Sequence, residues 1–179
     1  RDRPLPDAKQ QLIEQMRVVH GTIDFYSFDF WSEQTGLDIT DLHQQESQRI
    51  AFRADAEAFL DWLAQSAHES IIATNADHNS LRIKEDAMAL SKRVDHVYSS
   101  QDFGSPKEDQ AFWAQLQQRC DFDPQRTLFL DDTERVLDAA AEFGIGHVWH
   151  VRTPDSQREP RPQSAHPSLD QFHEIYPAA

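Results

Sequence analysis

The chain has 179 residues, with 17 Lys and Arg against 31 Asp and Glu, giving a formal net charge of −14. A domain of this size buries roughly 70% of the surface that its unfolded chain exposes, which excludes the small classes stapled by disulfides or zinc. The acidic balance contains no run of Lys or Arg, so a polyanionic nucleic acid or an anionic membrane surface is not the expected partner. Cys120 is the single cysteine, so no internal disulfide or cysteine-rich zinc site forms, and a cytoplasmic, reducing setting is expected. No stretch approaches the roughly 20 apolar residues of a membrane helix, and residues 1–6 lack the apolar core of a signal peptide.

Leu12, Ile13, Met16 and Val19 recur at helical spacing and predict an amphipathic helix over 7–19. A second helix is expected over 23–34. There Phe25, Tyr26, Phe28, Phe30 and Trp31 crowd more than one face before Gly36 ends the run. These rings read first as core packing and second as a stacking surface. A polar helix over 40–49 and an amphipathic one over 54–64, with Phe59, Leu60 and Leu63, complete an all-helical first third.

The pattern changes at Glu69. Short apolar runs at 70–75, 94–99, 127–130 and 147–151 predict strands, and the segments 80–90, 109–119 and 134–143 between them predict helices, the last stopped by Gly144. Such alternation specifies a parallel sheet covered by helices, an α/β fold. Pro154, Pro160, Pro162 and Pro167 make 153–166 an irregular surface tail, and a short helix over 169–175 is expected to close the chain.

In an open parallel sheet, ligands sit beyond the carboxyl ends of the strands. Three such ends carry polar groups. Asp131 and Asp132 follow four apolar residues, where two adjacent carboxylates repel each other unless a cation compensates, and Mg²⁺ prefers such oxygens. Capping of the following helix is the plainer alternative. Lys107 follows Ser105-Pro106 at a helix start, where it is either a phosphate counter-charge or simply solvated. Thr74 and Asn75 end the first strand and can donate to an anion or cap a turn. The nine histidines are scattered and predict no zinc cluster.

A strand ending Thr74-Asn75, then Gly104-Ser105-Pro106-Lys107 before a helix, then a strand ending Asp131-Asp132, resembles motifs two to four of the haloacid dehalogenase superfamily. Segments 26–39, 103–110, 126–144 and 166–169 resemble its bacterial purine nucleotidase branch acting on GMP and IMP. The resemblance implies a Rossmannoid three-layer core at 54–179 and a partial helical cap at 1–53. It implies a Mg²⁺-dependent phosphomonoesterase working through an aspartyl-phosphate. Thr74, Asn75 and Lys107 would bind substrate, Thr74 and Lys107 would act in catalysis, and Asp131 and Asp132 would hold Mg²⁺. Its small-molecule partner would be a purine nucleoside monophosphate.

The superfamily's first motif, an Asp-x-Asp ending the central strand, has no counterpart in the sequence. Asp24 and Asp29 lie in an aromatic helical segment, and Asp2 and Asp7 follow no apolar strand. The expectation is that an upstream segment or a partner chain completes the sheet and brings the nucleophile, and that these 179 residues alone are inactive. Unpaired buried backbone groups would otherwise cost about 1–3 kcal/mol each. Other readings are a phosphatase of another small phosphomonoester, a dehalogenase, and a catalytically dead binding module. A receiver-type phosphoacceptor fits less well, because its acidic pair precedes the Thr and Lys.

Overall fold

The computed structural model describes residues 5–155 and 157–176, without the side chains of residues 5 and 6. Helix α1 (Leu5–Val19) follows the predicted period. The aromatic stretch does not form one helix. It divides at Ser27 into a 3-10 turn (Ile23–Tyr26) and helix α2 (Phe28–Thr35). Ser27 is extended and its hydroxyl accepts from the Phe30 amide at 3.2 Å, so the residue starts a new helix where the apolar pattern suggested continuity. Gly36 ends α2 at φ 69°, a left-handed conformation that a Cβ disfavours. Helices α3 (Ile39–Gln45) and α4 (Ala56–Gln65) follow, α3 capped by the Asp38 carboxylate.

The second part alternates as expected: β1 (Ile71–Thr74), α5 (His78–Met88), β2 (His96–Ser99), α6 (Gln110–Cys120), β3 (Leu128–Asp131), α7 (Glu134–Phe143) and β4 (His147–Val151). The predicted closing helix is instead a two-residue strand, β5 (Ser168–Leu169), and a 3-10 turn (Phe172–Glu174). Leu169 is buried and pairs in register with Val151, so the edge of an existing sheet overrides the weak local helix preference.

The strands form two parallel sheets, β1-β2 and β3-β4-β5. Each of β1 and β3 is laddered along one edge only, and no ladder joins the two among the described residues. Their burial is consistent with this. Parallel strands are usually buried on both faces, yet all four residues of β1 remain partly exposed and Leu128 at the start of β3 is 44% exposed. The core lies beside the sheets, where Phe112, Trp113 and Leu116 of α6 meet Val136, Leu137 and Ala140 of α7 and Val148 of β4. Phe103 joins it, between Tyr98 and Phe112. Gly146 lets the chain pass Gln125, whose carbonyl oxygen lies 2.4 Å from where a Cβ would stand.

No helix among the described residues is long and apolar enough to cross a membrane.

Candidate active site

Strands β1 and β3 end beside one another at a cavity of about 370 Å³. Thr74, Asn75, Lys107, Asp131 and Asp132, drawn from three separate loops, all line it. Its volume falls within the range of small-molecule sites.

Lys107 is not a solvated loop lysine. It is 9% exposed, and its Nζ donates to Asp131 Oδ2 at 2.6 Å. The Lys107 backbone is fixed at both polar ends: its amide donates to Asn75 Oδ1 at 2.9 Å, and its carbonyl accepts from the Trp113 indole at 2.9 Å. The lysine is therefore held against its partner by the core itself, and the ammonium also lies 5.7 Å from the centre of the Phe129 ring. Two charges this deep need each other, because either alone would carry a desolvation penalty without compensation.

Asn75 acts as the brace between the first two loops. Its carbonyl oxygen is taken by the Lys107 amide, and its Nδ2 donates to Glu108 Oε2 at 2.9 Å. The Thr74 hydroxyl accepts from the Ala76 amide at 3.0 Å, which leaves its own hydrogen available to a ligand in the cavity. Below them, the buried Ser99 hydroxyl donates to the Ala76 carbonyl at 2.7 Å and joins the end of β2 to the same turn.

The acidic pair is differentiated by its neighbours. Asp131 Oδ1 accepts from the Thr133 amide at 2.8 Å and Oδ2 from Lys107, so the helix-turn role and the charge pairing share one carboxylate. Asp132 faces the tail. Arg161 approaches its Oδ2 at 2.5 Å and also donates to its backbone carbonyl. Asp132 Oδ1 lies 3.4 Å from the Thr133 hydroxyl. Asp131 and Asp132 both line the cavity, and adjacent carboxylates are the hard-oxygen donors that Mg²⁺ prefers.

Several further groups line or brace the site, among them aromatic residues that the sequence read first as core and second as a stacking surface. Tyr26, in the aromatic stretch, donates its hydroxyl to Glu108 Oε1 at 2.5 Å, and burial followed by that bond raises its pKa well above the ordinary tyrosine range. Asp77 caps α5 through the Ser80 amide and accepts from the Phe28 amide at 2.5 Å, joining α2 to α5. Phe25, Tyr26, Phe28 and Trp31 form one wall of the cavity, and no residue of α2 is fully buried. Lys84 of α5 lines the same space. Burial lowers its pKa, with Asp77 opposing the shift and Lys107 adding to it. The proline-rich tail, expected as an irregular surface segment, supplies Arg161. Asp24, Asp29 and Asp7 are absent from the cavity lining, and Asp2 lies outside the described residues.

Glu134, Asp138 and His166 bring one potential ligand atom each within 4.8 Å of one another, a grouping the scattered histidines did not suggest. They are hydrogen-bonded as a tail clasp: the Ala165 amide donates to Glu134 at 3.0 Å, and His166 Nε2 lies 2.9 Å from Asp138.

Known proteins are similar to this chain in sequence and in fold. The family of haloacid dehalogenase-like hydrolases matches over residues 33–144. The chain is 36% identical to the GMP/IMP nucleotidase YrfG of Escherichia coli (strain K12), over 96% of this chain and 78% of that protein, and the Shigella flexneri nucleotidase of the same name matches equally. Among solved structures, a HAD phosphatase from Thermococcus onnurineus superposes with a TM-score of 0.77 at 16% identity, covering 95% of this chain and 78% of the other. The L-2-haloacid dehalogenase of Xanthobacter autotrophicus gives 0.61 at 20% identity, with 83% and 64% covered. Those two likenesses concern the fold. Taken with the 36% identity and the matched segment, they complete the assignment: the chain belongs to the haloacid dehalogenase-like hydrolases.

Proposed function

We propose that this hydrolase is a Mg²⁺-dependent phosphomonoesterase that removes phosphate from purine 5′-monophosphates of the GMP and IMP kind, in the cytoplasm. The observation that supports it most is the buried Lys107–Asp131 ion pair opening on a cavity shared with Thr74 and Asp132. Phosphoryl transfer chiefly requires positioning and charge neutralisation, and this arrangement offers both. Residues 1–53 act as part of a cap and 54–179 as the core.

In this reading the Thr74 hydroxyl donates to a phosphoryl oxygen, and Asn75 keeps the Lys107 loop in place. Lys107 neutralises charge on phosphate and nucleophile. Asp131 and Asp132 hold Mg²⁺, which when bound neutralises phosphoryl oxygens. The nucleophile is a carboxylate on an extended segment, from the same polypeptide or a partner, that pairs with the free edges of β1 and β3. Its oxygen bonds to phosphorus as the bond from phosphorus to the nucleoside oxygen breaks, and the second carboxyl group of the same Asp-x-Asp segment gives that oxygen its proton and regains one from the attacking water. Water then cleaves the acyl phosphate, releasing inorganic phosphate and restoring the carboxylate.

Phosphate release from IMP and GMP tests this. Residues 1–179 alone are expected to give none. With a strand bearing Asp-x-Asp supplied, turnover is expected with Mg²⁺ and is lost with a chelator. A completed sheet that hydrolyses no phosphomonoester overturns the proposal.

A further inference from the structure

Outside the cavity, Glu134, Asp138 and His166 gather where the tail crosses α7. Glu134 and Asp138 stand one helical turn apart and share a face, and His166 reaches that face from the tail. One potential ligand atom from each lies within 4.8 Å of the other two. Zn²⁺ binds imidazole nitrogen and carboxylate oxygen tetrahedrally at about 2.0–2.2 Å, which sets its ligand atoms roughly 3.4 Å apart, so three donors this close can share one ion.

His150 points to the same place independently. It is 4% exposed, and its Nδ1 is buried with no hydrogen-bond partner among the described residues. A buried ring nitrogen left this way is costly unless something satisfies it. Successive strand residues point to opposite faces, so His150 shares the face of Val148, which packs in one cluster with Leu137 of α7. His150 pairs with Asp131 at the end of β3, and α7 starts just beyond, so the ring is aimed at the first turn of that helix, where its charge acts on Glu134. The His150 amide donates to the Pro167 carbonyl at 2.7 Å, which brings the tail residue His166 alongside.

We propose that Glu134, Asp138, His166 and His150 form a Zn²⁺ site that clasps the tail to α7. Two imidazoles among the donors favour such an ion over Mg²⁺, which keeps to oxygen ligands. None of the four residues lines the cavity, and the inference does not rest on the phosphomonoesterase reading. The bound ion also restrains Arg161, which the same tail presents to Asp132.

Calorimetric titration of Zn²⁺ into the 179-residue chain in excess Mg²⁺ tests it. One ion is expected to bind per chain, and hydrogen exchange at the Ala165 amide is expected to slow when Zn²⁺ is added. His166→Gln, His150→Gln and Asp138→Asn are each expected to weaken Zn²⁺ binding about tenfold or more. Asp138 is exposed, so its variant keeps the test open should the buried His150 variant fail to fold. No Zn²⁺ uptake by the unaltered chain overturns the inference and needs no variant. Uptake that leaves exchange at Ala165 unchanged, or that His166→Gln leaves undiminished, also overturns it by placing the ion elsewhere. Each of these failures leaves the phosphomonoesterase reading intact.

Discussion

Tyr26 and Glu108 are 82 residues apart, yet the phenol of one donates to the carboxylate of the other at 2.5 Å. The other oxygen of Glu108 accepts from Asn75, so one carboxylate ties the aromatic stretch to the loops that carry Asn75 and Lys107. The first third of the chain is thereby locked to the site.

Tyr26→Phe removes this lock while keeping the ring. A hydrogen bond to a charged group contributes about 1.5–3 kcal/mol, and chemical denaturation is expected to show a loss at the lower end of that range. The raised pKa of Tyr26 sets the pH dependence: its contribution is fully present below the ordinary tyrosine value of 10.0 and is lost progressively above it, as pH rises through the higher folded value. The stability difference between Tyr26→Phe and the unaltered chain is thus expected to stay constant from neutral pH up to the ordinary value of 10.0. A difference that fades before it would show that the bond does not hold in solution.

Lys107→Met leaves Asp131 without its counter-charge in a site where both side chains are about nine-tenths buried. Breaking such a pair costs about 3–5 kcal/mol. Adding Asp131→Asn is expected to recover part of the stability, since the stranded carboxylate is then gone. A double-mutant cycle measured by urea unfolding gives the coupling directly, and additive losses would count against the pair.

Arg161→Ala removes a cation from Asp132. Coulombic competition at a partly exposed site is worth about 1 kcal/mol, so Mn²⁺ binding followed by electron paramagnetic resonance is expected to tighten roughly fivefold. Unchanged binding would place the cation elsewhere than Asp132.

Glu134 holds the tail through the Ala165 amide, and hydrogen bonds from Ser164 and Ala165 lower its pKa. The interaction is therefore complete above the ordinary carboxyl value of 4.5 and is lost as pH falls through the lowered one. Glu134→Gln weakens the acceptor, and hydrogen exchange at Ala165 is expected to quicken at neutral pH. Exchange equal to that of the unaltered chain would show that the tail is held by other contacts.

The sequence by itself determined the alternation of strands and helices, the bounds of α7 and β4, and the three polar strand ends, because each is a local pattern of apolar period, turn residue and charge. It also carried the resemblance that the family match bears out. It did not reveal the break at Ser27, where a single hydroxyl cap outweighs a continuous aromatic pattern, or β5, whose two residues are too few to show a period. Lys107 illustrates the rest. As a residue type in a loop it is either solvated or a counter-charge, and only packing by Trp113, Asn75 and Asp131 decides. Arg161 meets Asp132 across 29 residues, and Tyr26 meets Glu108 across 82. Contacts over such separations leave no trace in local periodicity. They arise when the sheets and helices pack and bring distant loops to one cavity, so the tertiary structure alone assigned those partners.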